Sequence, residues 1–342
     1  GLCGYSTGTV NNSYWDKQTT GLTTSYGSAE TYGKTTAEMK IQTTFSGWDF
    51  TTEPVWHITA QNSGYPHLSW QLIPPAAVTA VPATDITATS FTANWNSADD
   101  AVGYYIDISN YNNFSNFVPG YNGYDAGNVT SLSVTGLEPV STYYYRVRAY
   151  NTAGTGINSN IISPAMPAFD GSGTEPDPFR IYTAAQLSAV RNYLGSANAD
   201  KYFQVMNAID LAAYLSSGAG YNNGYFWLPI GDAANPFCGK FKGGYNMISS
   251  LKINRAATDY SGLFGYAGTG SALEGIFIQI DPAGSVKGKN YTGGLAGYAE
   301  GGTISMCYVE GTVIGSINGT GGLVGIYGEN GKISQCQTIV NV

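Results

Sequence analysis

The chain has 342 residues, 11% of them charged and 43% hydrophobic, with 45 glycines and 27 tyrosines. That hydrophobic share argues against a disordered chain, and the length leaves room for two or three domains. A formal net charge of −8 argues against nucleic acid as a partner, and no apolar run reaches the roughly 18 residues that would insert this segment into a membrane.

The chain opens on Gly1-Leu2-Cys3-Gly4-Tyr5. The same signature returns as Gly262-Leu263-Phe264-Gly265-Tyr266, as Gly294-Leu295-Ala296-Gly297-Tyr298 and as Gly322-Leu323-Val324-Gly325-Ile326. The last three leucines lie 32 and 28 residues apart, a period that marks a solenoid or an array. A second segment repeats with it: Gly8-Thr9-Val10-Asn11-Asn12-Ser13-Tyr14 matches Gly302–Tyr308 and Gly331–Gln337. Each unit reads as a Gly-Leu strand, a glycine turn and a strand rich in Thr, Ile and Val, because β-branched residues between glycines favour strands. One unit cannot bury its apolar face alone, whereas rungs stacked about 4.8 Å apart can. These residues resemble the GLUG repeat, a bacterial cell-surface β-solenoid motif, over residues 1–72 and about 168–342. The resemblance implies a secreted or surface-anchored protein, often an adhesin or part of a long surface chain.

Residues 1–73 read as the end of one solenoid. Thr35-Thr36-Ala37-Glu38 has capping-box spacing, with Met39, Ile41 and Phe45 behind it, so a short helix is expected to close the stack. The aromatic run from Trp48 through Leu68 resembles the closing segment that comes after GLUG repeats. Its rings either cap the core where no rung covers it or form a platform for sugars.

Pro74-Pro75 marks a boundary that opens a domain over 74–167, in which residues 76–166 read as seven short strands. Ser90–Trp95 and Thr142–Ala149 alternate with period two, and Asn122-Gly123 and Ala126-Gly127-Asn128 supply turns, the pattern of a β-sandwich. Leu137-Glu138-Pro139 followed by Tyr143, Tyr145, Val147 and Ala149 resembles the fibronectin type III family. The resemblance puts Trp95 at that family's core tryptophan and Tyr143 at its tyrosine corner, whose hydroxyl ties strand to bend. The family's Arg-Gly-Asp cell-binding tripeptide is absent, and many copies of the fold are spacers. Within the linker 164–178, Asp170 to Asp177 places oxygen side chains close together. Calcium is the one cofactor this permits, against the plainer reading of an acidic linker.

Residues 168–342 read as the start of a solenoid. Thr183 and Gln186 form a capping box, Leu187, Val190 and Leu194 come next at helical spacing, and Gly195 ends the helix. This segment resembles the cap that precedes GLUG repeats, and three Gly-Leu rungs come after it. The expected fold is all-β: parallel β-solenoid segments with short capping helices, flanking an immunoglobulin-like sandwich.

The cysteines are Cys3, Cys238, Cys307 and Cys336, with no CxxC pair to suggest zinc. Cys307 and Cys336 occupy equivalent places in successive repeats, where Cα atoms about 5 Å apart fall within disulfide distance. A ladder of buried thiols is the alternative, since Ser13 fills the same slot. The closing cap precedes the opening cap, the sequence does not begin with Met, and no signal peptide is visible. The expectation is therefore a mature or excised piece of a tandem array, or a subunit whose start completes the solenoid of a neighbouring copy. The assembly residues would be Leu2, Gly4, Leu263, Gly265, Leu295, Gly297, Leu323 and Gly325, with Trp95 and Tyr143 holding the sandwich.

No enzyme is expected. His57 and His67 sit in no metal-binding motif, and neither a nucleophile elbow nor a phosphate loop is present; the Gly-Gly pairs recur with the rung period and read as turns. Two alternatives to a structural role remain. One is a surface module binding glycans or host proteins, through Tyr104, Tyr105, Tyr121 and Tyr124. The other is an accessory part of a secreted polysaccharide-degrading enzyme, if carboxylates converge on a solenoid face.

Overall fold

A computed structural model describes residues 10–24, 32–51, 55–58, 61–68 and 73–342. Two compact units divide at Ala165 and Met166, the second also taking in Thr87–Thr89 and Gly136–Ser141. The architecture is all-β, a sandwich in the first unit and a solenoid in the second.

Every strand ladder from Phe179 onward is parallel. Three rungs carry the repeat. The first consists of Phe264–Ala267, Ala272–Glu274 and Phe277–Ile280. The second consists of Ala296–Ala299, Thr303–Ser305 and Tyr308–Gly315. The third consists of Val324–Tyr327, Lys332–Ser334 and Gln337–Asn341. Corresponding strands pair in register, so Phe264, Ala296 and Val324 form one column, and Leu273, Ile304 and Ile333 another. The alternation Thr-Ile-Ser or Ala-Leu-Glu puts the middle residue inside, and Leu263, Phe264, Leu273, Ile276, Ile278 and Ile280 are all buried in one core.

Each rung turns at a residue in the left-handed region: Tyr245, Gly275, Met306 and Gln335 have φ of 59, 60, 54 and 55°. Asn12, aligned with Met306 by the sequence repeat, has φ 50°. Its backbone keeps the rung's turn, and the Trp48 indole donates to its carbonyl at 2.6 Å. A tyrosine, a glycine, a methionine and a glutamine share one conformation that only glycine adopts freely, which shows that stacking, not residue preference, sets it.

The signature glycines serve a different purpose. Gly265, Gly297 and Gly325 lie in strands, at the second glycine of Gly-Leu-x-Gly. A Cβ on Gly297 would meet Tyr291 O at 2.5 Å, Ser261 N at 2.7 Å and the Tyr260 carbonyl carbon at 2.7 Å. Two backbones touch there, and no side chain fits between them. Gly297→Ala should therefore lower solenoid stability by about 1–3 kcal/mol, the range for overpacking, read from the denaturant midpoint. An unchanged midpoint would show that the rung relaxes freely. The Gly293-Gly294 and Gly321-Gly322 pairs, expected to be turns, lie in or beside the strands Thr292–Gly293 and Thr320–Gly321: Gly293 and Gly321 allow close backbone approach, and Gly294 and Gly322 leave room for the Val309 and Val340 side chains.

The end of the solenoid nearer Met166 is covered. Phe179–Ile181, Tyr202–Val205 and Lys240–Lys242 join the same sheet as the rungs, and the helix Ala184–Ala189 packs Leu187 into the core. Thr183 Oγ1 accepts from Gln186 N at 3.2 Å, and Gln186 Oε1 accepts from Tyr182 N at 2.9 Å, closing the expected box one residue early. The α-helix is shorter than its spacing implied: it tightens into a 3₁₀ turn at Val190–Tyr193. In the first unit the Thr35/Glu38 box forms too, but it leads into two 3₁₀ turns, Glu38–Lys40 and Gln42–Thr44, in place of an α-helix. That segment buries Met39 and Phe45 and leaves Ile41 exposed.

The sandwich has a three-stranded and a four-stranded antiparallel sheet. Phe91, Trp95, Tyr104, Ile106, Ile108, Tyr143, Tyr145 and Val147 fill its core.

Candidate functional site

The two ends of the solenoid differ in how well they are covered. Leu263 and Leu295 are both 0% exposed, while Leu323, in the same place on the third rung, is only half-buried. The other inward columns change in the same way. Ile304 is buried and Ile333 is 41% exposed; Cys307 is buried and Cys336 half-buried; Val309 is buried and Thr338 is exposed. Each strand of the third rung pairs on one side only among the described residues, which leaves a row of free backbone donors and acceptors. Ile339 and Val342 are 60% and 73% exposed. The expected assembly residues Leu263, Gly265, Leu295, Gly297, Leu323 and Gly325 thus lie in register along one stack, and the third rung presents its inner face. Leu2 and Gly4 lie outside the described residues.

Aromatic side chains add a column on the outside. Tyr266 and Tyr298 stack at 4.7 Å, Tyr260 and Tyr291 at 5.1 Å, and the third rung continues with Ile326. Burial first, and then the hydrogen bond to Glu300, push the Tyr266 hydroxyl up. Cys307 and Cys336 are free thiols on adjacent rungs, with Cys307 N donating to Cys336 Sγ at 3.4 Å. Burial pushes the Cys307 thiol up to about 12, so it is an inert core group.

Trp95 and Tyr143 are both buried in the sandwich. Two further residues tie the sandwich together: Tyr145, named in the sequence only as part of the family pattern, and Asp107, which was not singled out. The Tyr145 hydroxyl donates to the Val81 carbonyl. The buried Asp107 carboxylate accepts from Arg146 at 2.9 Å, Arg148 at 2.7 Å and Gly123 N at 2.7 Å. Arg146 and Arg148 alternate on one strand and Asp107 lies opposite Arg146 on the facing one, so the signal in the sequence was a lone acid among alternating bases.

Of the tyrosines considered for sugar binding, Tyr104 is core: it packs on Trp95 at 5.8 Å, and its hydroxyl accepts from Ala98 N. Tyr105 is stacked on Tyr150 at 4.4 Å. The closing-segment rings also stack on one another, Trp48 on Trp56 at 4.0 Å and on Phe45 at 4.9 Å, so they cover each other. In the linker, Asp177 accepts from Ser172 N at 2.8 Å and Arg180 at 2.9 Å, so protein donors already engage both of its carboxylate oxygens. Asp281 and Glu310 line one groove, but hydrogen bonds from Tyr308 and Gln279 hold Glu310 below the usual carboxylate range. The general acid of a glycosidase pair needs the opposite shift, so Glu310 is not poised for that role.

Residues 76–165 match the fibronectin type III domain family, and residues 288–314 match the GLUG motif. The chain carries both. The GLUG match falls on the second rung, and the first and third repeat its backbone strand for strand. The fibronectin type III match spans the two-sheet sandwich. Halomucin of Haloquadratum walsbyi is 29% identical over 376 aligned residues, covering 100% of this chain and 4% of halomucin. A Gly-rich membrane protein of Evansella cellulosilytica is 41% identical over 130 residues, 35% of this chain and 14% of that protein. Chitinase Chi52 of Paenibacillus xylanexedens is 27% identical over 147 residues, 41% of this chain and 25% of the chitinase. The chain therefore spans a quarter or less of each of these relatives. Among solved structures, the sixth fibronectin type III domain of a human protein is 23% identical, covering 30% of this chain and 95% of that one, with a TM-score of 0.25.

Proposed function

We propose that the chain is a non-catalytic structural module of a secreted, surface-exposed fibre, stalk or adhesin, joined to its neighbours head to tail by continuing the solenoid. The observation that carries this is the third rung. Its leucine, valine and isoleucine columns continue those buried on the inner rungs and are partly exposed, and another rung would give them the burial of Leu263 and Leu295. An incoming rung gains parallel strand pairing and an apolar floor together. Contacts of this kind do not close on themselves, so they propagate into filaments. Asn12 shares the φ of the rung turns, which supports a repeat of this type, in a second copy or in adjoining repeats of one polypeptide, as the source of the next layer. The alignment of this whole chain with 4% of halomucin supports a modular place within something much longer, and the Gly-rich membrane protein supports a setting at the cell boundary.

Ile333→Lys tests the reading. Ile333 is 41% exposed, so a lysine there leaves the fold intact but buries a charge once a rung stacks on it. The expected result is concentration-dependent rods of the unaltered chain in negative stain and light scattering, and short single particles of the variant, with matching circular dichroism. Single particles of both at every concentration would overturn head-to-tail assembly.

A further inference from the structure

Two arginines, Arg191 in the solenoid cap and Arg255 just after the strand Ile253–Asn254, form no ion pair among the described residues. Arg191 stacks on Trp227, its guanidinium carbon 4.5 Å from the ring centre, and Arg255 lies over Tyr225 at 5.4 Å. Three hydrogen bonds fix Arg191, to Pro229 O, Ser188 O and Ser188 Oγ. Arg255 has one long bond, to Trp227 O at 3.4 Å. The Nη2 atoms of both are buried without an acceptor. Burial brings Arg191 down to about 10 and lowers Arg255 as well, yet both stay charged at neutral pH.

Both side chains line a cavity of about 200 Å³, together with Leu194, Leu228, Thr258 and Tyr260. Two aspartates also reach it, but they are exposed and already engaged. Asp232 accepts from Ala234 N and Asn235 N, and Asp259 from Asn290 Nδ2. Solvent screens their charge far more than that of the half-buried guanidinium groups. Buried cations ordinarily have a partner, because leaving one unpaired costs several kcal/mol.

We propose that this cavity binds an oxyanion, a carboxylate or sulfate group of the kind an acidic sugar carries. Arg191 supplies fixed charge. Arg255, loosely held, swings its Nη2 onto the oxyanion. Leu194, Leu228 and Tyr260 offer an apolar wall to the body of the ligand. The site lies within one chain and is independent of rung-to-rung assembly.

Calorimetric titration of the whole chain at low ionic strength tests it with glucuronate, glucose 6-sulfate, inorganic sulfate and glucose. The anions should bind and glucose should not, with Arg255→Gln weakening the anions about tenfold or more, as losing a charge-assisted hydrogen bond does. Arg255→Lys should recover part of the loss. Sugar acids tighter than inorganic sulfate would assign the apolar wall to the sugar ring, and equal affinities would make the oxyanion the whole ligand. Binding of glucose as tight as that of the anions, no heat with any anion, or an Arg255→Gln variant that titrates like the unaltered chain with an intact circular dichroism spectrum would overturn the proposal.

Discussion

Leu295→Arg will melt the solenoid at a temperature well below that of the unaltered chain. Leu295 is 0% exposed and sits on the middle rung, with Leu263 on one side and Leu323 on the other. Its amide donates to Leu323 O, so the backbone is held at that point and cannot swing the new side chain out. Two costs add. Removing a buried leucine forfeits about 1.5–3 kcal/mol of apolar burial, and an unpaired buried cation costs about 3–5 kcal/mol more. Rungs contact only their neighbours, so the loss weakens both interfaces of the middle rung at once. At roughly 2–4 °C per kcal/mol for a unit of this size, the solenoid transition should fall by about 10 °C or more. Calorimetry of both chains reads it. A solenoid transition within a degree of the original would mean that Leu295 is not in the stack.

The leucine column was legible because its signal is local. Four residues recur with a period, and period alone implies stacking. The sandwich was legible for a similar reason, since alternation over Ser90–Trp95 and Thr142–Ala149 fixes which residues share a face. Alternation does not say which face is inside. Tyr104 and Tyr105 are neighbours on one strand, so one had to point in, and only the pairing of Tyr104 with Ala149 and Tyr105 with Arg148 decides between them. Local pattern also misjudged the glycine pairs, because a turn and a close backbone approach both demand glycine and only the third dimension separates them.

The Arg191–Arg255 cavity lay beyond reach for a stronger reason. The two residues are far apart in sequence, in a helical cap and a strand connection, and neither belongs to a repeat. What brings them together is Trp227, buried between the cap and the first rung, with its indole donating to Leu263 O at 3.1 Å. Residues outside the periodic part of a solenoid carry no pattern to be read. They are also where such a fold can vary without disturbing its stack.

Trp95→Ala should collapse the sandwich and leave the solenoid core intact. Trp95 is 3% exposed at the end of the strand Phe91–Trp95, with its ring 5.8 Å from that of Tyr104. Truncating a buried tryptophan costs about 3–5 kcal/mol through lost burial and the cavity left behind. Against a domain stability of about 5–15 kcal/mol, that is a large share. For roughly 90 residues it should lower the sandwich transition by on the order of 15 °C. Trp95→Phe separates packing from polarity. The Trp95 indole N–H is buried with no acceptor among the described residues, so its desolvation already weakens the native state. Phenylalanine removes that unsatisfied donor while keeping most of the ring, and its transition should fall much less than that of the alanine variant. Equal losses for the two would show that the full indole shape, not apolar volume, holds the two sheets together.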